Sequence, residues 1–247
     1  MSPVTVLPVE GLPEIGPGDE LGRMIAAAAE LADGDVVVIA QKIVSKVEGR
    51  QRALADVEPT PRATELGASL DKDPRLVELI LGESERIVRS ERVLIVETRS
   101  GLVCANAGID SSNVGAADEV LLLPADPDAS ARSLRAALAA TSGRRLGVIV
   151  SDSFGRPWRV GQTEVAIGCA GIAAIDDWRG RSDRDGRELA ATEIAVADQL
   201  AAAADLVRDK AAGIPVVVIH GRGDLVTAED GPGAAALQRA RDEDLFR

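Results

Sequence analysis

Aromatic residues are almost absent from this chain of 247 residues, which has two tryptophans, two phenylalanines and no tyrosine. Its core must therefore be built from Ala, Val, Leu and Ile, and the rows of rings on which single-stranded nucleic acids stack are excluded. Basic charge is also scarce, because 28 Lys and Arg stand against 40 Asp and Glu and give a formal net charge of −12. A sequence-independent nucleic-acid binder needs a basic footprint, which is missing. An anionic substrate would need local lysines and arginines or a bridging metal ion.

Histidine, cysteine and long apolar runs are scarce too. The one histidine, His220, excludes His-rich zinc sites and disfavours a Ser-His-Asp triad. Cys104 and Cys169 lie far apart without CxxC spacing, so both thiols are predicted to be reduced and packed as small hydrophobic groups. No apolar run approaches the roughly 20 residues that span a bilayer, and the first residues do not resemble a signal peptide. The sequence thus predicts a cytoplasmic protein.

Two common nucleotide-binding motifs are missing. The chain contains no GxxxxGK[ST] stretch, which excludes a P-loop protein. The nearest match to GxGxxG begins at Gly221, but Val226 stands where the last glycine is required. A Rossmann dinucleotide fingerprint is therefore excluded as well.

Apolar runs and helical patterns alternate along the chain. Runs rich in Val and Ile predict buried strands at residues 35–40, 92–98, 119–123, 146–150 and 215–219. Apolar residues at helical spacing predict helices at residues 19–32, 128–141 and 188–207. Residues 155–187 are dense in Gly, Arg and Asp, which is typical of an active-site loop region. The sequence therefore predicts a mixed α/β (α+β) fold with mixed sheets covered by helices.

Oxygen ligands follow one of these strands. Asp152, with Ser151 and Ser153 beside it, is predicted to lie at the carboxyl end of the strand at residues 146–150, where α/β proteins place ligands. A carboxylate and a hydroxyl can hold a hard divalent cation, and Arg156 and Arg159 offer guanidinium groups for phosphate or carboxylate. A capped turn with a surface arginine pair explains the same residues equally well.

Two other segments carry similar chemistry. Small polar residues at 106–115 let the backbone approach a ligand closely, and Asp110 and Asn113 could reach one metal–phosphate centre from there. An Asx-turn between strands is the alternative explanation of that loop. Lys42 and Lys46 lie one helical turn apart directly after a strand, as counter-charges for phosphate or as a solvated helix start.

Taken together, the segments resemble one known family. They are VEGLP at residues 9–13, IVSKVEGR at 43–50, NAGIDSSN at 106–113, LLPADPD at 122–128, SDSFGR at 151–156, DW at 177–178, GREL at 186–189 and ADLV at 204–207. The chain resembles the coenzyme F420-0:L-glutamate ligases, which build the polyglutamate tail of a deazaflavin coenzyme. The stretch WRVGQT at residues 158–163 is most similar to the actinobacterial branch, in which a flavin-dependent reductase domain often follows. Residues 1–247 are expected to be the ligase domain, stand-alone or excised, with two lobes of unspecified boundary and no reductase domain.

The resemblance implies a set of substrates and ions. These are GTP, L-glutamate and coenzyme F420-0, with two divalent cations per site, Mg²⁺ or Mn²⁺, and K⁺ as a further candidate ion. It also implies a homodimer. By position in the family pattern, Asp110 and Asp152 match the catalytic carboxylates that hold the first metal, and Ser153 matches a ligand of the second. The positions that match nucleotide contacts are Leu12, Pro13, Glu14, Ile15, Gln41, Lys46 and Asn113. Arg156 and Arg159 are the candidates for holding substrate.

The chemistry of amide formation is consistent with this resemblance. Transfer of the γ-phosphoryl group of GTP to the lactyl carboxylate would give an acyl phosphate, which the amine of glutamate would attack. Such a reaction depends on positioning and electrostatics and needs no nucleophilic Ser or Cys. Two alternatives remain open: a metal-dependent phosphohydrolase that uses Asp110 and Asp152, and a non-catalytic GTP-binding module. Departures from the family pattern at Gln41, Asp209 and His220 would favour the second alternative.

Overall fold

A computed structural model describes residues 3–110, 118–208 and 213–244 of the chain. Its strands are β1 (Thr5–Pro8), β2 (Val36–Ala40), β3 (Gln51–Ala53), β4 (Ser84–Arg89), β5 (Ile95–Thr98), β6 (Val103–Ala105), β7 (Glu119–Leu121), β8 (Gly147–Arg156), β9 (Arg159–Ala170), β10 (Ile175–Asp177), β11 (Glu193–Ala195) and β12 (Val216–His220). Its α-helices are α1 (Leu21–Ala28), α2 (Gln41–Val47), α3 (Pro61–Leu70), α4 (Pro74–Gly82), α5 (Pro127–Ser142) and α6 (Val196–Asp205).

The largest sheet has five strands in the order β1-β12-β2-β8-β9. Strands β2 and β8 run parallel, and the other neighbours are antiparallel. Thr5 of β1 pairs with His220 of β12, so strands from near the start and near the end of the chain pair at one edge of this sheet. The parallel pair ends where Ala40 faces Ser151.

Helices cover both faces of the five-stranded sheet. Val37 and Ile39 of β2 pack with apolar residues of α1 and α5, whereas Val36 and Val38 pack on the other face with residues of α6. A strand buried on both faces needs apolar side chains at every position, which explains the uninterrupted run of Val and Ile in β2.

A smaller lobe has its own apolar core. The antiparallel sheet β4-β5-β6 packs with α3 and α4 around Leu66, Ile80 and Val96. Both helices begin with a capping residue followed by proline at the first helical position. Thr60 caps α3 and Asp73 caps α4. Such pairs stop the preceding chain and fix the first turn of each helix.

The mixed α/β class is confirmed, and most predicted strands agree within a few residues. Two predictions along the chain were wrong. Residues 188–207 are helical only in α6, because Glu193–Ala195 pairs with Ile175–Asp177 as β11. The region at 155–187 is not all loop, because β8 continues to Arg156 and pairs in a long hairpin with β9.

No helix in the described part of the chain is long and apolar enough to cross a membrane.

Candidate active site

A cleft of about 1610 Å³ lies where the parallel pair β2 and β8 ends, facing β5, β6 and the turn that follows β6. Ten of the predicted site residues line it: Leu12, Pro13, Glu14, Ile15, Gln41, Lys46, Asp110, Asp152, Ser153 and Arg156. They come from four segments that are distant in sequence. The fold thus brings most of the predicted site into one cavity.

The position of Asp152 differs from the prediction in one respect. Asp152 does not end its strand, because β8 continues for four more residues as an arm paired only with β9. It nevertheless lies one residue beyond Ser151, where the parallel partner β2 stops. Asp152 is therefore at the carboxyl edge of the parallel pair, where ligands bind in α/β sheets.

The charge of Asp152 is costly in this structure. The pKa of its carboxyl is raised to about 7, chiefly because the cleft floor is poorly solvated and also because the carboxylates of Glu164 and Asp110 are near. A hydrogen bond from the Ser153 backbone and the charge of Lys42 oppose the shift. Three carboxylates thus act on one another here, and a bound cation would relieve their repulsion.

Each lysine of α2 is paired with a carboxylate in the cleft. The Nζ of Lys42 lies 2.6 Å from an oxygen of Asp110, and the Nζ of Lys46 lies 2.5 Å from an oxygen of Glu14. Glu14 is exposed, whereas Lys46 is mostly buried. Both lysines face the cleft, as their spacing on one helical turn predicts.

The side-chain amide of Gln41 is buried, and its Nε2 donor has no partner among the described residues. Its Oε1 accepts a hydrogen bond of 2.9 Å from Ser45, but its Nε2 has no hydrogen-bond partner among the described residues. A buried amide left unpaired costs about 1–3 kcal/mol. Because Gln41 lines the cleft, a ligand with an acceptor oxygen would satisfy this donor.

The turn before Asp110 is conformationally unusual. Asn106, Ala107 and Gly108 have φ angles of 52°, 55° and 67°, although only glycine adopts this region easily. Gly108 cannot be replaced without a clash, because a Cβ there would lie 2.6 Å from Leu123. The chain then enters a β-bridge in which Asp110 pairs with Leu121. Backbone strain of this kind is concentrated at functional sites, and here it places Asp110 in the cleft.

Sequence reasoning missed a buried ion pair in the cleft floor. The guanidinium of Arg208 lies 3.0 Å from Glu164, and the two side chains are only 8% and 7% exposed. Glu164 also accepts a hydrogen bond of 2.5 Å from the Oγ of Ser153, and Arg208 donates to the Oγ of Ser151 at 2.9 Å. The ADLV segment at 204–207 was the one signal near Arg208. Nothing local marks Glu164, because the register of the hairpin is what brings it opposite Ser153.

The two arginines of the hairpin have different positions. Arg156 lines the cleft, but its guanidinium donates to the carbonyls of Val160 at 2.9 Å and Gly161 at 3.3 Å. Arg159 faces Arg156 across the hairpin, is exposed and is not among the cleft residues. Their role toward substrate stays a prediction. Asn113 and Asp209 lie outside the described residues.

A cysteine nucleophile is not supported. Burial raises the pKa of the Cys104 thiol to about 12, and the charge of Asp152 adds to the shift. Burial likewise raises the pKa of Cys169 to about 12. Both thiols are buried and remain protonated at neutral pH, as expected of small packing residues.

No group of three His, Cys, Asp or Glu side chains is placed to hold a metal ion within residues 3–110, 118–208 and 213–244. The predicted ligands Asp110, Asp152 and Ser153 supply two carboxylates and a hydroxyl, so the metal site stays a prediction.

Comparison with known proteins gives one consistent result. Residues 11–221 match the family described as F420-0:Gamma-glutamyl ligase. The chain is 46% identical over 253 residues to the coenzyme F420:L-glutamate ligase of Methanothermobacter thermautotrophicus, with 99% of each chain covered. It is 47% identical to the ligase of that name from Halobacterium salinarum, covering 97% of this chain and 94% of the relative. A third such ligase, from Methanopyrus kandleri, is 44% identical over the full length of both chains.

Proposed function

The chain belongs to the F420-0:gamma-glutamyl ligase family, and on that premise we propose that it joins L-glutamate to coenzyme F420-0 at the expense of GTP. Further γ-linked glutamates would be added to the first product in the same way. The observation that carries the proposal is the gathering of ten predicted site residues in one cleft. The cleft also exceeds the roughly 300–1,000 Å³ of a pocket for one drug-sized ligand, which suits a reaction with several substrates.

The predicted metal ligands in the cleft would bind divalent cations. Asp110 and Asp152 would hold one ion, and Ser153 would contribute to the second. The raised pKa of Asp152 supports this, because mutually repelling carboxylates in a poorly solvated floor are stabilised when a cation binds. Bound Mg²⁺ or Mn²⁺ would neutralise phosphate charge and stabilise the transferring phosphoryl group.

The nucleotide would bind along α2 and the segment at residues 12–15. Lys46 supplies positive charge for the phosphates, which would compete with Glu14 for that lysine. The unpaired Nε2 of Gln41 offers a hydrogen bond to an acceptor oxygen of the ligand. These contacts position the γ-phosphoryl group near the carboxylates without any covalent step on the protein.

The reaction would proceed through two transfers. The bond between the γ-phosphorus and the bridging oxygen of GTP breaks as a carboxylate oxygen of F420-0 bonds to phosphorus, which gives GDP and an acyl phosphate. The α-amine of glutamate then attacks the acyl carbon, phosphate leaves, and the amine loses a proton. The protein's contribution is to hold the reactants in register and to exclude water from the acyl phosphate.

One assay distinguishes this function from the two alternatives. GDP and glutamylated coenzyme are counted in the same tube that contains GTP, Mg²⁺ or Mn²⁺, glutamate and F420-0, and each component is omitted in turn. A ligase releases one GDP for each amide bond and little GDP without F420-0. Rapid GDP release without F420-0 would indicate a phosphohydrolase, and binding of GTP without any GDP would indicate a non-catalytic module.

A further inference from the structure

The few aromatic side chains of this protein are unevenly placed. Of its two tryptophans and two phenylalanines, Phe154 and Trp158 line the cleft and belong to the same hairpin. Trp178 lies outside the cleft, and the guanidinium of Arg181 lies 5.1 Å from the centre of its ring. Phe246 is outside the described residues. A chain nearly without aromatic groups thus has two of them at its candidate active site.

The two cleft aromatics differ in what they contact. Phe154 packs against the core cluster between the sheet and helices α1 and α5. Trp158 is 78% exposed and lies at the turn of the hairpin between β8 and β9. An indole ring has a large apolar face, and a planar ligand that covers this face removes it from water. Trp158 is therefore far more exposed than Phe154 among the residues that line the cleft.

The turn that carries Trp158 is held in a fixed shape. Arg156 donates two hydrogen bonds across the turn, to the carbonyls of Val160 and Gly161. Pro157 fixes its own φ angle, and Gly161 adopts a φ of 90° that other residues rarely adopt. A ring on a rigid turn loses little freedom when a ligand stacks on it, so the site is preorganised.

The hairpin turn that carries Trp158 lies beyond the end of β8, several residues along the strand from Asp152. Arg156 lies four positions beyond Asp152, which corresponds to about 13 Å along β8. The acceptor F420-0 carries its reacting carboxylate at one end and its planar deazaflavin ring at the other. With the carboxylate near Asp152, the ring would extend along β8 to the hairpin turn. Of the predicted nucleotide contacts, those that the structure describes are on α2 and at residues 12–15, which are other parts of the cleft lining.

We propose that Trp158 binds the deazaflavin ring of the acceptor by stacking and thereby places the acceptor's carboxylate over the cleft floor. This inference rests on the proposed function, because it assigns a place to the acceptor of that reaction. It makes Trp158 a determinant of acceptor affinity with no part in the transfer of the phosphoryl group.

The kinetic test compares Trp158→Ala with Trp158→Phe in the otherwise unchanged chain. Loss of one stacked ring raises the KM for F420-0 by about 5- to 150-fold in the alanine variant. The phenylalanine variant recovers most of that loss, because it keeps a ring. The KM for GTP and the kcat at saturating F420-0 stay within about twofold of wild type. An unchanged KM for F420-0 in the alanine variant, or a raised KM for GTP, overturns the inference.

A spectroscopic test does not depend on turnover. In the Trp178→Phe variant, Trp158 is the one remaining tryptophan, and titration with F420-0 should quench its emission with saturation. The Trp158→Phe variant, which keeps Trp178, is the matched control and should show much weaker quenching at equal absorbance. GTP alone should leave the emission of Trp158 unchanged. Quenching by GTP alone, or equal quenching of both variants by F420-0, contradicts the assignment.

The outcomes separate this inference from the proposed function. If the Trp178→Phe enzyme forms glutamylated product while Trp158→Ala keeps the wild-type KM for F420-0, only the stacking role fails. If wild-type protein forms no glutamylated product, the ligase proposal itself fails and the inference fails with it. A change of oligomeric state in Trp158→Ala, measured by light scattering, would show that the ring contacts a second copy and would also overturn the inference.

Discussion

The inner and outer halves of β8 share one strand and differ in their surroundings. Gly147–Ser151 lies between β2 and β9, buried on both faces of the five-stranded sheet. From Asp152 onward the strand pairs with β9 alone and becomes progressively exposed. The inner half is apolar up to Val150, and the outer half carries Asp152, Ser153 and Arg156. The change occurs where β2 ends. The inner half of β8 therefore stabilises the sheet, and the outer half carries the polar side chains of the candidate site.

The largest effect that this comparison predicts concerns the first residue of the outer half. If the proposed function is correct, Asp152→Asn should lower kcat by on the order of 10³-fold, because it removes a charge that the proposed cation and phosphoryl transfer need. The fold should persist, since Asp152 stabilises no part of the sheet. Steady-state kinetics at saturating Mg²⁺, with circular dichroism as the fold control, provides the measurement. Activity near wild type would remove Asp152 from the site.

A substitution in the inner half of β8 should lower stability and leave kcat unchanged. Ile149 is fully buried in the cluster between the sheet and α6. Ile149→Ala should lower the free energy of unfolding by about 3 kcal/mol, within the usual 2–5 kcal/mol for such cavities. Denaturant unfolding measures this, and kcat well below the melting temperature should stay near wild type. Ser153→Ala is the matched control and should lose less stability than Ile149→Ala, with impaired turnover.

The pH dependence of stability tests the outer half of β8 in a second way, through the ionisation of Asp152. The pKa of Asp152 is about 7 in the folded chain and near 3.8 as an ordinary value, so the native state holds this proton more tightly than the unfolded state. This group's contribution to stability therefore decreases as pH rises from about 4 to about 7. The stability advantage of Asp152→Asn over wild type, measured without metal, should grow across that range to roughly 2–3 kcal/mol.

The effect of added metal ions on the stability of the same two proteins is a further test. Mg²⁺ or Mn²⁺ added at pH 8 should raise the melting temperature of wild type, because the ionised carboxylate binds the cation. Asp152→Asn should respond much less. An equal response of both proteins would show that the ion binds elsewhere.

The smallest effect concerns a residue outside β8. Lys46→Ala should raise the apparent KM for GTP by about ten- to hundredfold, which corresponds to roughly 1.5–3 kcal/mol for a lost charge-assisted contact. Lys72→Ala is the control, since Lys72 does not line the cleft. If the GTP titrations of Lys46→Ala and wild type overlap, Lys46 does not contact GTP and only pairs with Glu14.

Features that depend on a local run of residues were predicted from the sequence, and features that depend on contacts between distant segments were not. β2 was predicted within one residue, because a strand buried on both faces has a continuous apolar run that needs no knowledge of its neighbours. The outer half of β8 was missed as a strand, because its pairing with β9 depends on cross-strand contacts and leaves no apolar pattern. Asp152 was still found, since it directly follows the apolar run. Glu164 and Arg208 were not, because only the hairpin register and the end of α6 bring them together.

The pairing of Thr5 with His220 has a consequence for the order in which the fold forms during synthesis. During synthesis β1 (Thr5–Pro8) leaves the ribosome long before its partner β12 (Val216–His220). Contacts between such distant residues form late, because closing a long loop must precede them. The segment at residues 12–15, which lies shortly after β1 and lines the cleft, is therefore fixed only after β12 has been made. If the proposed nucleotide site is correct, a nascent chain cannot complete that site before β12 has been synthesised.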